Sequence, residues 1–416
     1  MNILLVGHAC LPNAGSELGI TWNWAWHLSA GHRVWVITHG SFRNEIETYL
    51  REHPRPNLRF VWVGPFGRFD PWKPPSPKYI RLHYLWWRHA ALGAARTLMR
   101  SEAIDVIHHA SWSTLSAPPL LWKLGLPFVW GPVGGGQVIP WRFIPYLGRY
   151  VWRELLRTLR VTAMPWNPVL RRTIGRTDLL FAVNRETAVV LEAAGATRLS
   201  LFPDVGVVPE ILPPDLPFRS DAGCFTVLWA GRFEPRKALP LCLDVAKAVR
   251  SPTVRFLIAG DGPLRARMKI YARRLGVESR VMFLGSLPWR LLQERFAEAH
   301  VFLFTSVQDT LGSVVFEAVA KGCPVICLDH GGAAHLPDDV AIKISPRTPR
   351  RAVEEIARAI DRLASDRAQL KQLSEAAYRW SKSQRWDVRA NAMAECYAEL
   401  LSKDCRPGAA RSQRRG

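Results

Sequence analysis

No apolar run in this chain approaches the ~18 residues needed to cross a bilayer, so an integral span is excluded and a soluble or peripherally bound protein is expected. The opening Met1-Asn2-Ile3-Leu4-Leu5-Val6-Gly7 has neither the basic region nor the small-residue cleavage site of a signal peptide. It reads instead as a buried first strand. Cysteine is sparse: seven residues, an odd number, with no framework spacing. Cys323 and Cys327 stand four apart, but no second Cys or His pair lies near them at zinc spacing. A disulfide scaffold is thereby excluded, and free thiols in a reducing cytoplasm are expected. No repeat at solenoid spacing occurs. The G-x-G-x-x-G fingerprint is missing, and so is any Asp-x-Asp pair that would hold a metal. Acids are scarce too: 35 Asp and Glu face 56 Lys and Arg, a formal charge of +21. Such a balance attracts anions without saying which, since nucleic acid, anionic lipid and nucleotide-sugar all qualify.

What the chain does have is length and apolar content. Its 416 residues favour two domains, and 48% hydrophobic residues suffice for two cores. Short apolar runs alternate with helix-length segments. Ile3–Val6, Val34–Thr38, Leu58–Val63, Val106–His109, Phe128–Trp130 and Leu179–Val183 read as strands of a first sheet. Thr226–Trp229, Arg255–Ala259, Val281–Leu284, Val301–Thr305, Val325–Leu328 and Ala341–Ile344 read as strands of a second. Continuous apolar strands separated by helices imply parallel sheets covered on both faces. The expected fold class is therefore α/β, with two doubly wound Rossmann-like domains facing a cleft. The boundaries read as an N-terminal domain over 1–208, a Pro-rich linker over 209–222 and a C-terminal domain over 223–380. A helix over 381–402 and a basic, disordered tail over 403–416 follow. Four prolines in Pro209–Pro217 mark the linker, because proline neither continues a helix nor pairs inside a sheet. Helix is expected over Leu373–Leu401, with a break at Ser381-Lys382-Ser383.

Tryptophan is unevenly placed: 14 of 18 precede residue 221. Between Arg142 and Arg176 there are eight Arg and one acid, Glu154, interleaved with Trp141, Tyr146, Tyr150, Trp152 and Trp166. A basic, Trp-rich segment suits a membrane–water interface. The alternative is a solvated basic helix whose aromatics face the core. Pro71–His89, with Trp72, Lys73, Lys78, Arg81, Trp86, Trp87 and Arg88, has the same composition.

Five motifs carry candidate chemistry. Arg232 and Lys237 follow the strand Thr226–Trp229 at its carboxyl end, where open α/β sheets bind ligands. An Arg fork and a Lys point charge suit a diphosphate, and fixed cations would stabilise charge on a departing phosphate oxygen. Asp309-Thr310-Leu311-Gly312-Ser313-Val314-Val315-Phe316-Glu317 reads as a turn into a helix beginning near Ser313. Its free amides and positive dipole end make an anion site. Asp309 would sit before the helix and Glu317 about one turn inside it, so they would grip different groups, each accepting hydrogen bonds from vicinal hydroxyls. Otherwise Asp309 is a helix cap and Glu317 a solvated side chain, although Glu317 lies within an apolar run. In the first half, Gly15 after the first strand would let backbone amides approach a ligand. His108-His109 end a strand, and alternation points them to opposite faces. Gly131–Gly136 would line the facing side of the cleft or form a tight structural loop.

Together these residues resemble the retaining glycosyltransferases of family 4, with the two-domain GT-B fold. The match is strongest over Phe225–Ile344 and continues more weakly through the first domain. The resemblance implies that Arg232 and Lys237 bind the diphosphate of the sugar donor. Its Glu-x7-Glu motif falls on Asp309 and Glu317, with Asp in the first place. Leu287 matches the backbone position that reads the base, and Gly15-Ser16 match a glycine pair. His109 rather than His108 matches the cleft histidine. Leu311, Gly312, Ser313 and Val314 then belong to the donor site.

The resemblance further implies metal-independent transfer with retention, with no cofactor beyond the nucleotide-sugar itself. The expected donor is a UDP-, GDP- or similar nucleotide-sugar. The acceptor would be a saccharide or lipid-linked hydroxyl on the route to a bacterial surface polysaccharide or glycolipid. The expected place is the inner face of the cytoplasmic membrane, on an anionic surface. No nucleic acid partner is expected. The rival readings are a nucleic-acid-binding protein using the basic surface, or a catalytically inactive GT-B scaffold.

Overall fold

The apolar runs become two parallel sheets. The computed structural model describes residues 1–65, 72, 80–112, 114–217, 219 and 223–404. Strands β1 (Asn2–Val6), β2 (Arg33–His39), β3 (Leu58–Val63), β4 (Val106–His109), β5 (Phe128–Val133), β6 (Leu179–Ala182) and β7 (Leu199–Leu201) form the first sheet, in the order β3-β2-β1-β4-β5-β6-β7. Strands β8 (Phe225–Ala230), β9 (Val254–Ala259), β10 (Val281–Gly285), β11 (Val301–Phe304), β12 (Val325–Leu328) and β13 (Ala341–Ile344) form the second, in the order β10-β9-β8-β11-β12-β13. All named pairings are parallel. The α/β fold of two Rossmann-like domains is thus the observed one. Strand β7 has no counterpart in the apolar runs: Leu-Ser-Leu is a short edge strand and largely exposed.

Each sheet reverses direction of winding once, between β1 and β4 and between β8 and β11. Chain leaving neighbouring strands at such a point diverges to opposite faces and leaves a crevice. The segments after β8 and β11 are those carrying Lys237 and Asp309.

Two exchanges lock the domains together. The C-terminal helix Trp386–Asp404 leaves the second domain and packs on the helix Ser16–Leu28 of the first. Trp386 meets Trp24 edge-on at 5.2 Å. Tyr397 hydroxyl lies 2.5 Å from His108 Nδ1, and His108 Nε2 lies 2.6 Å from the Gly131 carbonyl. A carbonyl only accepts, so His108 carries its proton on Nε2 and receives the tyrosine hydroxyl at Nδ1. In return, Ile139, Phe143 and Leu147 from the segment after β5 enter the core of the second domain, and Tyr146 donates to Asp244 at 2.7 Å.

The break in the C-terminal helical region falls at Gln384-Arg385, between helices Arg367–Ser383 and Trp386–Asp404, and not at Ser381–Ser383. The serines stay helical because Ser381 donates to the Tyr378 carbonyl at 2.7 Å and Ser383 to that of Trp380 at 2.7 Å. The chain turns where Val207 bonds to Gln384 and Trp386, at 2.8 and 3.0 Å. The linker is held against the second domain, with Tyr378 hydroxyl donating to the Pro213 carbonyl at 2.6 Å. Residues 218 and 220–222 of the linker, Lys73 and Lys78, and 405–416 of the tail lie outside the described residues.

Burial holds the His108 imidazole down at about 4, with its bond to Gly131 opposing. The unfolded ring titrates near the usual ~6.5. Between those values the unfolded chain binds the extra proton, so this contribution to stability is complete above pH ~6.5 and is lost as pH falls toward 4. His109, held at about 3 chiefly by burial, acts in the same direction. Urea midpoints are expected to fall steeply from pH ~6.5 to about 4. A flat profile across that window contradicts the buried neutral histidines.

Candidate functional site

The cationic corner is built by a tight turn after β8. Pro235 opens a short 3-10 turn, Pro235–Lys237, which makes Arg236 and Lys237 successive corner residues. The end of β11 locks their backbone. Thr305 hydroxyl donates to the Lys237 carbonyl at 2.9 Å, and Ser306 hydroxyl to that of Arg236 at 3.0 Å. Trp229 indole fixes Thr305 at 2.8 Å. Lys237 is buried, with its ammonium over the Phe304 ring at 5.5 Å. Its next residue, Ala238, sits at φ 46°, a left-handed conformation that only a built turn imposes on alanine.

Both cations converge on one carboxylate. Arg236 Nη1 donates to Asp309 Oδ1, and Lys237 Nζ to Asp309 Oδ2. Burial lowers the Lys237 ammonium from its usual range, while Asp309 supports its charge. Glu234 also holds Arg236, at 3.0 Å, and reaches Arg232 at 2.9 Å, so three cations against two acids leave this corner positive. Directly after it, Gly312 at φ 89° turns the chain into the helix Ser313–Ala320, whose first amides lack helical partners. A Cβ at Gly312 would lie 2.9 Å from the Phe304 ring.

These groups line a cavity of about 250 Å³ shared by the two domains. The second domain supplies Arg236, Lys237, Asp309 and Gly312–Val314; the first supplies Glu17, Ile20, Asp204 and Val205. Glu17 accepts the Trp112 amide at 2.6 Å, and burial raises its carboxyl. Burial, with Glu17 nearby, raises the Asp204 carboxyl to about 7. The wall opposite the cations is therefore acidic and partly protonatable, suited to hydrogen bonding hydroxyls.

Arg232 lies beside the corner and does not reach Asp309. It shares Glu234 with Arg236, at 2.9 and 3.0 Å, and is largely exposed. With Leu287, Ser286, Leu292 and Gly260–Gly262 it lines a neighbouring cavity of about 620 Å³ at the ends of β8, β9 and β10. The Gly260-Asp261-Gly262 turn is fixed by packing: a Cβ at Gly260, φ 133°, would stand 1.9 Å from the Gly231 carbonyl oxygen.

Glu317 lies one turn into the helix and is half-buried. It accepts Gln293 Nε2 at 2.6 Å and bonds to Trp289; burial raises its carboxyl, these bonds opposing. It thus neighbours the Leu287–Leu292 side. Gly15 caps the helix Ser16–Leu28, and Ser16 opens it one residue before Glu17.

The two histidines do face opposite ways, both buried. His109 Nε2 lies 2.9 Å from the Tyr84 hydroxyl. It neighbours His8, whose ring is 3.3 Å from His83 Nδ1. Ring nitrogens of His8, His39 and His83 gather within 4.8 Å. His39 Nδ1 accepts the Ser41 amide at 3.2 Å.

Arg236, Glu17, Asp204, Gln137, Asn184 and Thr310 were not singled out by sequence. Asn184 Nδ2 donates to the Thr310 carbonyl at 2.8 Å, and Gln137 Nε2 to the Thr310 hydroxyl at 3.1 Å. Gly134 of the glycine-rich turn packs on Thr310, 2.4 Å from where a Cβ would stand. Of these residues only Arg236 carried a local signal, the proline-led turn before Lys237.

Residues 218–380 match the sequence family described as "Glycosyl transferases group 1". The match spans the C-terminal domain. The chain is 24% identical over 368 residues to a phosphatidylinositol N-acetylglucosaminyltransferase chain from Arabidopsis thaliana, covering 86% of this chain and 74% of that protein. It is 28% identical over 308 residues to 2-deoxystreptamine glucosyltransferase of Streptomyces kanamyceticus, covering 68% of this chain and 74% of that one. In fold it is similar to sucrose-phosphate synthase of Thermosynechococcus elongatus, with TM-score 0.66 and 18% identity over 97% and 99% of the two chains. It is similar also to Anabaena HepE in complex with UDP, with TM-score 0.61 and 18% identity over 96% and 100%. The matched domain thus sits in a two-domain GT-B architecture, and Arg236, Lys237 and Asp309 fall inside the matched residues.

Gly312→Ala forces a Cβ into a left-handed residue against Phe304. It is expected to cost roughly 1–3 kcal/mol, read as a lower urea midpoint. An unchanged midpoint contradicts the cap geometry.

Proposed function

We propose that this protein transfers a sugar from a nucleotide diphosphate to a hydroxyl of a saccharide or lipid-linked acceptor, with retention of anomeric configuration. One observation carries this reading: two cations, Arg236 and Lys237, held by Asp309 beside an open helix N-terminus in a cavity walled by both domains. The diphosphate would lie between Lys237, Arg236 and the amides of Ser313 and Val314. The base would occupy the cavity of Leu287 and Arg232, and Glu317 would accept ribose hydroxyls from between the two. The sugar would face Asp309, Glu17 and Asp204.

In the reaction, the bond from the anomeric carbon to the phosphate oxygen breaks and its electron pair stays on that oxygen. Lys237 and Arg236 stabilise the charge formed there. The acceptor hydroxyl forms the new bond on the face just vacated, and its proton passes to the departing phosphate oxygen. No metal and no side-chain base is required. His109, buried against Tyr84, would contribute by shaping the acceptor wall. We place the reaction at the inner face of a bacterial cytoplasmic membrane, in surface-polysaccharide or glycolipid assembly, with a hexose as the transferred sugar. The names of the relatives support glycosyl transfer but give several acceptors. The basic surface is read as lipid-facing rather than nucleic-acid-binding because exposed tryptophans accompany the arginines around Trp152.

A thermal-shift panel of UDP- and GDP-sugars is expected to identify one stabilising donor. With that donor, Lys237→Ala and Glu317→Ala should each lose about 100-fold or more in kcat/KM while remaining folded by circular dichroism. Wild-type turnover in both variants overturns the site assignment.

A further inference from the structure

The helix Val151–Ala163 turns most of its large apolar side chains outward, and buries only Val161 and Glu154. Its outward stripe is Trp152, Leu156 and Leu159, which are 75%, 64% and 67% exposed, while the charged Glu154 is only 8% exposed. An ordinary surface helix shows the reverse pattern. Leu155 adds to the exposed stripe, and Arg153 and Arg160 flank it. Trp141 before the helix and Trp166 after it are also mostly exposed, and Arg142 lies over the Trp141 ring at 4.9 Å. An apolar stripe edged by arginines and tryptophans, with no exposed acid in the segment, is complementary to an anionic lipid surface.

The inward face of the same helix is wired to the cationic corner. Glu154 pairs with Arg157 at 3.0 Å and accepts Gln308 Nε2 at 2.8 Å. Arg157 donates to the Gln137 carbonyl, and Gln137 donates to Thr310 at 3.1 Å. Gln308 and Thr310 flank Asp309, the carboxylate that holds Lys237 and Arg236. One helix therefore offers its apolar side to the outside and its polar side to both neighbours of the residue that shapes the corner.

We propose that Val151–Ala163 is an interfacial docking helix for an anionic bilayer, and that docking tightens nucleoside diphosphate binding through the contacts of Glu154 and Arg157 with the Asp309 loop. The first part stands on the exposed stripe alone. The second rests on the donor site described under Proposed function. Seating the helix in the interface fixes its tilt and depth, which restrains Glu154 and Arg157 and so orders the loop before the diphosphate arrives. A ligand that meets a preordered loop binds more tightly.

Two measurements test this. In vesicle flotation, the full chain is expected to float with phosphatidylglycerol-containing vesicles and not with pure phosphatidylcholine. A combined Trp152→Ser, Leu156→Ser, Leu159→Ser variant should bind at least tenfold more weakly with an unchanged melting temperature, since the altered side chains are exposed. Equal flotation of wild type and variant, or equal binding to both lipids, overturns the docking helix. In titrations with UDP and with GDP, anionic vesicles are expected to tighten the wild type severalfold for whichever nucleotide binds. A Glu154→Gln, Gln308→Ala variant should still float but lose that gain. The same gain in this variant, or no gain in the wild type, overturns the coupling. Binding of neither nucleotide under any condition sinks the transferase reading and the coupling with it, while flotation judges the docking helix independently.

Discussion

Asp309 bridging Arg236 and Lys237 is the interaction on which the site depends. Like charges on successive residues would splay apart if left alone. Asp309 between them fixes both, Glu234 holds Arg236 from the other side and also reaches Arg232, and the three cations still exceed the two acids in charge. The arrangement has value only because the ends of β8 and β11 lie at the point where the sheet reverses its winding. The turn carrying the cations and the loop carrying the carboxylate leave adjacent strands and meet over the crevice. Thr305 and Ser306 then clamp the turn through its carbonyls, so the register of β11 against β8 sets the position of the ammonium. Replacing one partner would leave a buried charge uncompensated, which is costlier than never having built the pair.

That corner is not a property of one domain. Its loop is held from the other side by Asn184 and Gln137, and its cavity is closed by Glu17 and Asp204. The two domains also exchange segments: the C-terminal helix sits in the first core, and Ile139, Phe143 and Leu147 sit in the second. Such reciprocal packing limits how the domains can move and keeps both walls of the cleft in register. The segment that enters the second core continues directly into the helix with the exposed tryptophan stripe. The external surface, the interdomain lock and the cationic corner thus lie on one continuous stretch of chain and its partners.

The strands were legible because parallel strands buried on both faces are continuous apolar runs, as in Val325-Ile326-Cys327-Leu328. β7 was not, since an exposed edge strand of three residues needs no such run. Lys237 and Asp309 were singled out in the sequence, though their ion pair was not, and the helix start at Ser313 was legible from its turn. Arg232 was paired with Lys237 in sequence, but the proline-led turn brings Arg236 to Asp309 and leaves Arg232 beside Leu287. Spacing cannot show such a rotation. Glu17, Asp204, Gln137 and Asn184 reach the site from four distant segments, and nothing local distinguishes them from ordinary polar residues. The Trp-rich segment left two readings open. The structure turns Trp141, Trp152 and Trp166 outward and packs Tyr146 and Tyr150 on the core of the second domain, so a core-facing role is wrong for those three tryptophans.

The central claim is that the corner of Arg236, Lys237 and Asp309 recognises a diphosphate. Calorimetric titration with a nucleoside diphosphate and with its parent nucleoside, over a range of salt, tests it most directly. The diphosphate is expected to bind at least a hundredfold more tightly, with an advantage that shrinks in Lys237→Met. Equal affinity for nucleoside and diphosphate, or an advantage that survives the loss of Lys237 unchanged, contradicts it.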